Sequence, residues 1–245
     1  MVTNGIMSIM ATAKRTGKAF AVLTGDIIGS SELSAGQLGE SRRLVAKAIN
    51  RFDDVHKGVV RGKPDFFRGD AWQLCLADPR WALRVALLVR ASLRGGCGAD
   101  SRIAIGIGSI GNLSPVRMSL SSGEAFTLSG HALDQMTGYF DMTAALPERA
   151  AVLAQWLPVV LHLCSGLVRP WTERQAEIVA CGLVLGNPTH ERIAASLNPP
   201  VTKQTVTDSL RGAGWRTLLE PIRAFESTDW DQMIQMPGVP EAKNG

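Results

Sequence analysis

Two aspartates are placed where they could do chemistry. Asp26 follows the apolar run AFAVLTG at residues 19–25, and Asp70 follows Arg68-Gly69 between two more apolar runs. If the strands bearing them are sheet neighbours, their carboxylates converge. Two carboxylates completed by substrate phosphates are a common way to hold Mg2+, which keeps part of its water shell. Two such ions could polarise both ends of a phosphoryl displacement. The adjacent glycines, Gly25 beside Asp26 and Gly69 beside Asp70, let backbone and ligand approach closely. Asp and Gly are also ordinary turn residues, so the pattern alone does not decide the chemistry.

The elements that must position these aspartates follow from apolar periodicity. Residues 19–25 read as a buried strand. Ser34 opens a helix, with Gln37 as capping-box partner and Leu38, Val45, Ile49 and Phe52 as its apolar stripe. Residues 58–67 and 71–77 read as two strands joined by Arg68-Gly69-Asp70. Asp78-Pro79 caps a second helix, with Trp81, Val85, Leu88 and Leu93 along its stripe. A strand over residues 102–108 and a third helix opening at Ser122 complete a β-α-β-β-α-β-α order, the split arrangement of a ferredoxin-like unit. Residues 138–148 give no clear signal. From Pro147 onward the pattern is consecutive helices.

The bulk numbers fit this plan. At 245 residues, 45% apolar and 20% charged, the chain suits one α/β domain plus a small accessory one. The four cysteines show no C-x-x-C pair or zinc spacing and read as reduced, mostly buried thiols. No charged start precedes an apolar core at the N-terminus, so no secretory leader is expected, and the protein is expected to be cytoplasmic. The longest apolar stretch, residues 150–168, contains Gln155, Pro158, His162 and Ser165 and reads as a buried helix sooner than a membrane span. A net charge of +4 is too small to argue nucleic-acid binding by itself. Gly106, Gly108 and Gly111 match G-x-G-x-x-G, but Asn112-Leu-Ser-Pro115 follows where a dinucleotide site needs a helix.

The run from Thr189 to Gly214 has the grammar of a helix-turn-helix: a short helix HERIAASL, the turn NPPV, then a second helix capped by Thr202. Thr202, Lys203, Gln204, Thr205 and Thr207 crowd the start of that second helix, with Arg211 further along. Gln204 could pair with adenine, and Lys203 and Arg211 could meet phosphate or guanine. The alternative is a helical appendage whose polar face is merely solvated.

In order and spacing, GDIIGSS, FRGDAWQ, RIAIGIG and SSGEAFTLSGHALDQM resemble the SatD-like family, which is itself similar to the class III nucleotidyl cyclase fold. The resemblance covers roughly residues 18 to 140. It implies metal ligation by Asp26 and Asp70, and phosphate holding by the backbone of Ile27, Ile28, Gly29 and Ser30, with Gly69 beside them. It also implies a homodimer with sites at the subunit interface. Thr127 and His131 fall where cyclases carry an asparagine and an arginine, and neither is equivalent. Phe66 falls where many cyclases carry a purine-selecting lysine.

The expected architecture is therefore α+β: a ferredoxin-like, class III nucleotidyl cyclase-like α/β sandwich followed by an all-α helix-turn-helix domain. The expected divisions are a flexible terminus (1–17), the cyclase-like domain (18–146), a connecting helix (147–170), the helix-turn-helix domain (171–226) and a disordered tail (227–245). The expected cofactor is Mg2+ or Mn2+. The expected partners are a nucleoside triphosphate or cyclic nucleotide, DNA and a second copy of the chain, with no membrane. The leading function is a nucleotide-responsive regulator. Its rivals are an active cyclase or related phosphoryl-transfer enzyme, in which His131 stands in for the charge stabiliser, and a catalytically dead interaction scaffold.

Overall fold

The computed structural model describes residues 18–186 and 188–234. The expected flexible terminus lies outside the described residues. β1 (Phe20–Ile27), β2 (Val60–Phe67), β3 (Ala71–Leu76), β4 (Ser101–Gly108) and β5 (Met142–Ala145) form one five-stranded sheet in the order β2-β3-β1-β4-β5. The β2–β3, β3–β1 and β1–β4 pairs are antiparallel, and β4–β5 is parallel. β5 fills the stretch that carried no clear signal. Only four residues long, it is too short to show a period. Pro64 sits in β2, an edge strand, where a missing ladder donor is tolerated.

Strand alternation divides the sheet into two unlike faces. Ala21, Leu23 and Ile27 of β1 join the main core with Trp72, Leu74, Ile103 and Ile105. That face is covered by α1 (Ala35–Val55) and α2 (Ala82–Cys97). The capping box of α1 forms as expected, Ser34 accepting from the Gln37 amide at 3.3 Å. The other face carries Val22, Cys75, Met118, Ala125 and Phe126 in a small second cluster. There α3 (Glu124–Asp134) crosses β4 and β1. It begins two residues later than expected, because Ser122 is held in a bridge to Asn112.

The glycine series in β4 now has a packing role. A Cβ on Gly106 would lie 2.2 Å from the carbonyl oxygen of Ala125 and 2.5 Å from the amide of Ser129, so glycine lets α3 rest directly on the strand.

α2 is buried nearly all round because helices cover its outer side too. α5 (Glu173–Leu185) lies along it, with Gly95 against the backbone of Glu177. α6 (His190–Ser196), α7 (Lys203–Gly212) and α8 (Trp215–Ser227) follow. Arg84 of α2, 2% exposed, donates to the Leu183 carbonyl at 3.2 Å and pairs with Glu226 of α8. One continuous apolar core therefore runs from the sheet through α2 into these helices. Thr172 caps α5 through a capping box with Gln175, as expected, and α8 continues through Pro221.

Two expectations change. The stretch read as a buried helix forms α4 (Ala151–Val168), packed on β5 and α2, but Val152, Trp156, Val159 and Leu163 stay exposed. Among the described residues, the segment Glu148–Val168 is one helix long and apolar enough to cross a membrane by length and composition. Of the tail expected to be disordered over 227–245, residues 230–233 form α9 (Trp230–Met233), with Trp230 and Ile234 in the core, and residues 235–245 lie outside the described residues. Asp231 of α9 accepts a hydrogen bond from the Ala19 amide at 2.6 Å. The cysteines are mostly buried, as expected: Cys75, Cys164 and Cys181 are buried, and Cys97 is exposed at the end of α2.

Candidate functional site

The half of the sheet that α3 leaves uncovered is polar. Thr24 and Asp26 of β1, Gln73 of β3 and Arg102 of β4 all line one open cleft of about 680 Å3. This is within the range of small-ligand sites. Thr24 and Gln73 are nearly buried and tied together: Gln73 Nε2 donates to Thr24 Oγ1 at 3.0 Å, and Thr24 Oγ1 lies 2.8 Å from Ser129 Oγ of α3. The floor is thus held rigid by a hydrogen-bonded chain running from β3 through β1 to α3.

Asp26 and Asp70 do meet. Asp26 faces Ala71 across the β1–β3 ladder, which brings the β2–β3 turn alongside the end of β1. The Ile27 amide donates to the Asp70 carbonyl oxygen at 3.3 Å, and Ser30 Oγ donates to the Asp70 carboxylate. Both carboxylates line the 680 Å3 cleft and also an adjoining hollow of about 310 Å3, formed with Ile27, Ile28, Gly29, Ser30 and Arg102. The expected aspartates and the expected loop are therefore in one place. Gly29, with φ 68°, turns the chain out of β1 into the short 3-10 turn Ser30–Glu32.

The two flanking glycines serve different ends. Gly69, at φ 93°, has open space where a Cβ would stand. A Cβ on Gly25, in contrast, would lie 2.6 Å from the Arg102 carbonyl oxygen and 2.7 Å from the Trp72 indole, so this glycine serves core packing and not the approach of a ligand.

Arg102 is the residue that motif reading missed. It stands opposite Asp26 in the β1–β4 register. Its Nε donates to Asp26 Oδ1 at 2.9 Å, and its Nη2 pairs with Oδ2. Its pKa is raised, chiefly by that hydrogen bond and then by the charges of Asp26, Asp70 and Asp141. Its position within RIAIGIG was visible, but its partner could be known only from the strand register. Arg68 and Arg117 also line the larger cleft. Arg117 pairs with Asp65, whose carboxylate also accepts from the Ser119 amide at 3.0 Å. Burial works to raise the Asp65 pKa, and the Ser119 and Arg117 hydrogen bonds outweigh it, leaving the carboxyl below its ordinary value.

Asp141 also lines the smaller hollow, but its carboxylate is spoken for. It accepts from Arg169 Nε at 2.7 Å, Arg90 Nη2 at 3.0 Å and Ser165 Oγ at 3.3 Å. Arg90, fully buried, also forks onto Asp100, at 2.8 and 2.6 Å. Among the described residues no group of three or more His, Cys, Asp or Glu could hold a metal ion. Any cation here would rest on Asp26, Asp70, backbone oxygens and the ligand's own phosphates. Those are all hard oxygen donors of the kind Mg2+ and Mn2+ take.

Thr127 and His131 are not part of either hollow. Both are exposed on α3, pointing away from the sheet that Ala125, Phe126 and Ser129 contact, and Thr127 Oγ1 is turned to the Gly123 carbonyl at 3.3 Å. Gly130, Leu133 and Asp134 are the residues of α3 that line the cleft. Phe66 packs against the main core.

On α7, Thr202, Lys203, Gln204 and Arg211 are exposed, and Thr205 and Thr207 are half-buried. Lys203 pairs with Glu191 at 2.5 Å, and Arg211 pairs with Asp208 at 3.1 Å. Gln204 donates to Asp208 at 2.9 Å, and Thr207 Oγ1 lies 2.9 Å from His190 Nδ1. Thr202 caps the helix by accepting from the Thr205 amide at 3.1 Å.

No family model matches the chain, and no curated protein matches it. Among solved structures, the guanylyl cyclase Cya2 aligns with 52% of this chain and 74% of its own, at 18% identity and a TM-score of 0.36. A likeness this loose carries no argument about fold or activity.

Proposed function

We propose that the chain is a metal-dependent nucleotide-binding regulator, with its ligand site in the cleft of Asp26, Asp70 and Arg102. In this reading the antiparallel β1–β4 unit with α1 and α2 is a ferredoxin-like, cyclase-type core. The supporting observation is the convergence of two carboxylates and a guanidinium on one open sheet face. Without ligand, Arg102 neutralises Asp26. A divalent cation arriving with a nucleoside triphosphate would take over the carboxylates of Asp26 and Asp70. The guanidinium, released, would then face the phosphates, for which its planar fork is suited. Arg68 adds positive charge where the rest of a polyphosphate would extend, and Arg117, paired with Asp65, stands beside it.

α6 and α7 are read as a helix-turn-helix in which the exposed Thr202, Lys203, Gln204 and Arg211, with the half-buried Thr205 and Thr207, meet DNA. Ligand in the cleft reaches it through the Asp141–Arg90–Arg169 network and the α2–α5 packing.

Calorimetric titration with each of the four ribonucleoside triphosphates and Mg2+ or Mn2+ tests the site. Binding to the native chain should be lost in Asp26→Ala/Asp70→Ala. It should weaken about 10–100-fold in Arg102→Ala, since hydrogen bonds to charged groups contribute about 1.5–3 kcal/mol. Equal affinities across these variants would refute the proposal. The enzyme reading draws support from Arg102 alone, which supplies within the cleft the positive charge that Thr127 and His131 do not. Mass spectrometry of the same mixtures decides it. Pyrophosphate release from a triphosphate would make the chain a cyclase-type enzyme, and none would leave it a binder.

A further inference from the structure

We infer that the outward face of α4 is a self-association surface on which a second copy of this chain docks, helix against helix. Val152, Trp156, Val159 and Leu163 are 59%, 65%, 45% and 69% exposed. With Gly166 they recur at alternating steps of four and three along the helix, the 3.5-residue period of a helix–helix seam. Trp156 and Leu163 form one row; Val152, Val159 and Gly166 form the other. α4 carries no Asp, Glu, Lys or Arg in its eighteen residues, so no charge on it has to be stripped of water when the face is covered. At the flank, Phe140 stacks on His162 with ring centroids 3.8 Å apart and widens the patch.

The area suits a two-fold pair. The four side chains and Phe140 expose on the order of 500 Å2, given areas of about 150–250 Å2 for each large side chain. A two-fold axis uses the same patch on both copies. Together they would bury on the order of 1,000 Å2, the lower bound for a specific interface. A lipid surface fits less well. Helices lying in a bilayer interface carry Lys and Arg on their polar face, while the inner face of α4 is packed on β5 and α2. The patch adjoins the smaller hollow, since Phe140 lies between Gly138 and Asp141, which line it, but the larger cleft of Asp26 and Asp70 is lined by no residue of α4 or of 138–141, so this pairing leaves the larger cleft open. Failure of one proposal therefore does not imply failure of the other.

Sedimentation velocity of the full chain across micromolar concentrations tests the inference. The native chain should show a concentration-dependent dimer. Trp156→Glu and Leu163→Glu should each raise its dissociation constant by about 30-fold or more, the effect of losing one central buried anchor. Val159 is the middle residue of the stripe, so Val159→Cys should cross-link to its own counterpart on oxidation. The native chain, with its exposed Cys97, is the control for background cross-linking. The cross-link keeps the test valid if the glutamate variants misfold. A native chain monomeric throughout, or a dimer indifferent to all three substitutions, overturns the inference. So does a monomer that co-sediments with vesicles of phosphatidylcholine and an anionic phospholipid through Trp156.

Discussion

Arg102 changes what Asp26 can do, and it was the side chain hardest to read in advance. The two aspartates were legible because each sits at the end of an apolar run beside a glycine. Arg102 begins an apolar run of its own, and only the β1–β4 register puts it across from Asp26. Asp141 shows the same limit. Its residue type suggests a ligand, yet Arg90, Arg169 and Ser165 already occupy its oxygens. Burial works to raise the Asp141 pKa, but the Arg169 hydrogen bond and the Arg90 and Arg169 charges outweigh it, so the folded value lies below the ordinary 3.8. A depressed carboxylate pKa stabilises the fold above the unfolded value and loses that stability as pH falls through the folded one. Asp141→Asn should therefore cost about 3 kcal/mol at neutral pH, since it leaves Arg90 buried with only Asp100 as its charged partner. Urea unfolding between about pH 5 and pH 3 should show a shallower loss of stability in this variant than in the native chain. An equally steep loss would show that Asp141 is not a source of the acid sensitivity.

At the scale of elements, local signals carried far. The capping boxes of α1 and α5, the Asp78-Pro79 start of the second helix and the β2–β3 turn all form where the residue types place them. What failed depends on neighbours the chain cannot announce. The apolar stretch of α4 was taken to mean burial, but periodicity cannot say whether anything stands against its second face. The Pro- and Gly-containing stretch after 227 hid a Trp230 that packs on Phe225, with ring centroids 4.5 Å apart. β4 is the instructive case, since its glycines look like a nucleotide fingerprint and in fact seat α3. Gly106→Ala would drive a methyl into the backbone of Ala125 and Ser129, which cannot give way as a flexible side chain would. It should cost about 3 kcal/mol or more and loosen the Thr24–Ser129 contact at the cleft floor. A thermal melt unchanged from the native chain would contradict this account of the β4–α3 packing.

For the whole molecule, the layered arrangement explains how one end could report on the other. The sheet face bearing Asp26 is half covered by α3 and open beside it, and the opposite face is sealed by α1 and α2. α5 lies along α2 and carries α6 and α7; Arg84 ties α2 to α5 and α8, while Arg90 ties it to Asp100, Asp141 and α4. How the helical half seats on α2 was not legible in sequence, because Gly95 and Glu177 reveal their contact only once both helices are placed. Everything functional still rests on whether Asp26 and Asp70 share a cation in the presence of a nucleotide. The most direct measurement is the electron paramagnetic resonance signal of free Mn2+ as the protein is added with a non-hydrolysable nucleoside triphosphate. The signal should fall for the native chain beyond what the nucleotide alone removes, and should not fall further for Asp26→Asn/Asp70→Asn. An identical fall with both proteins would contradict the assignment.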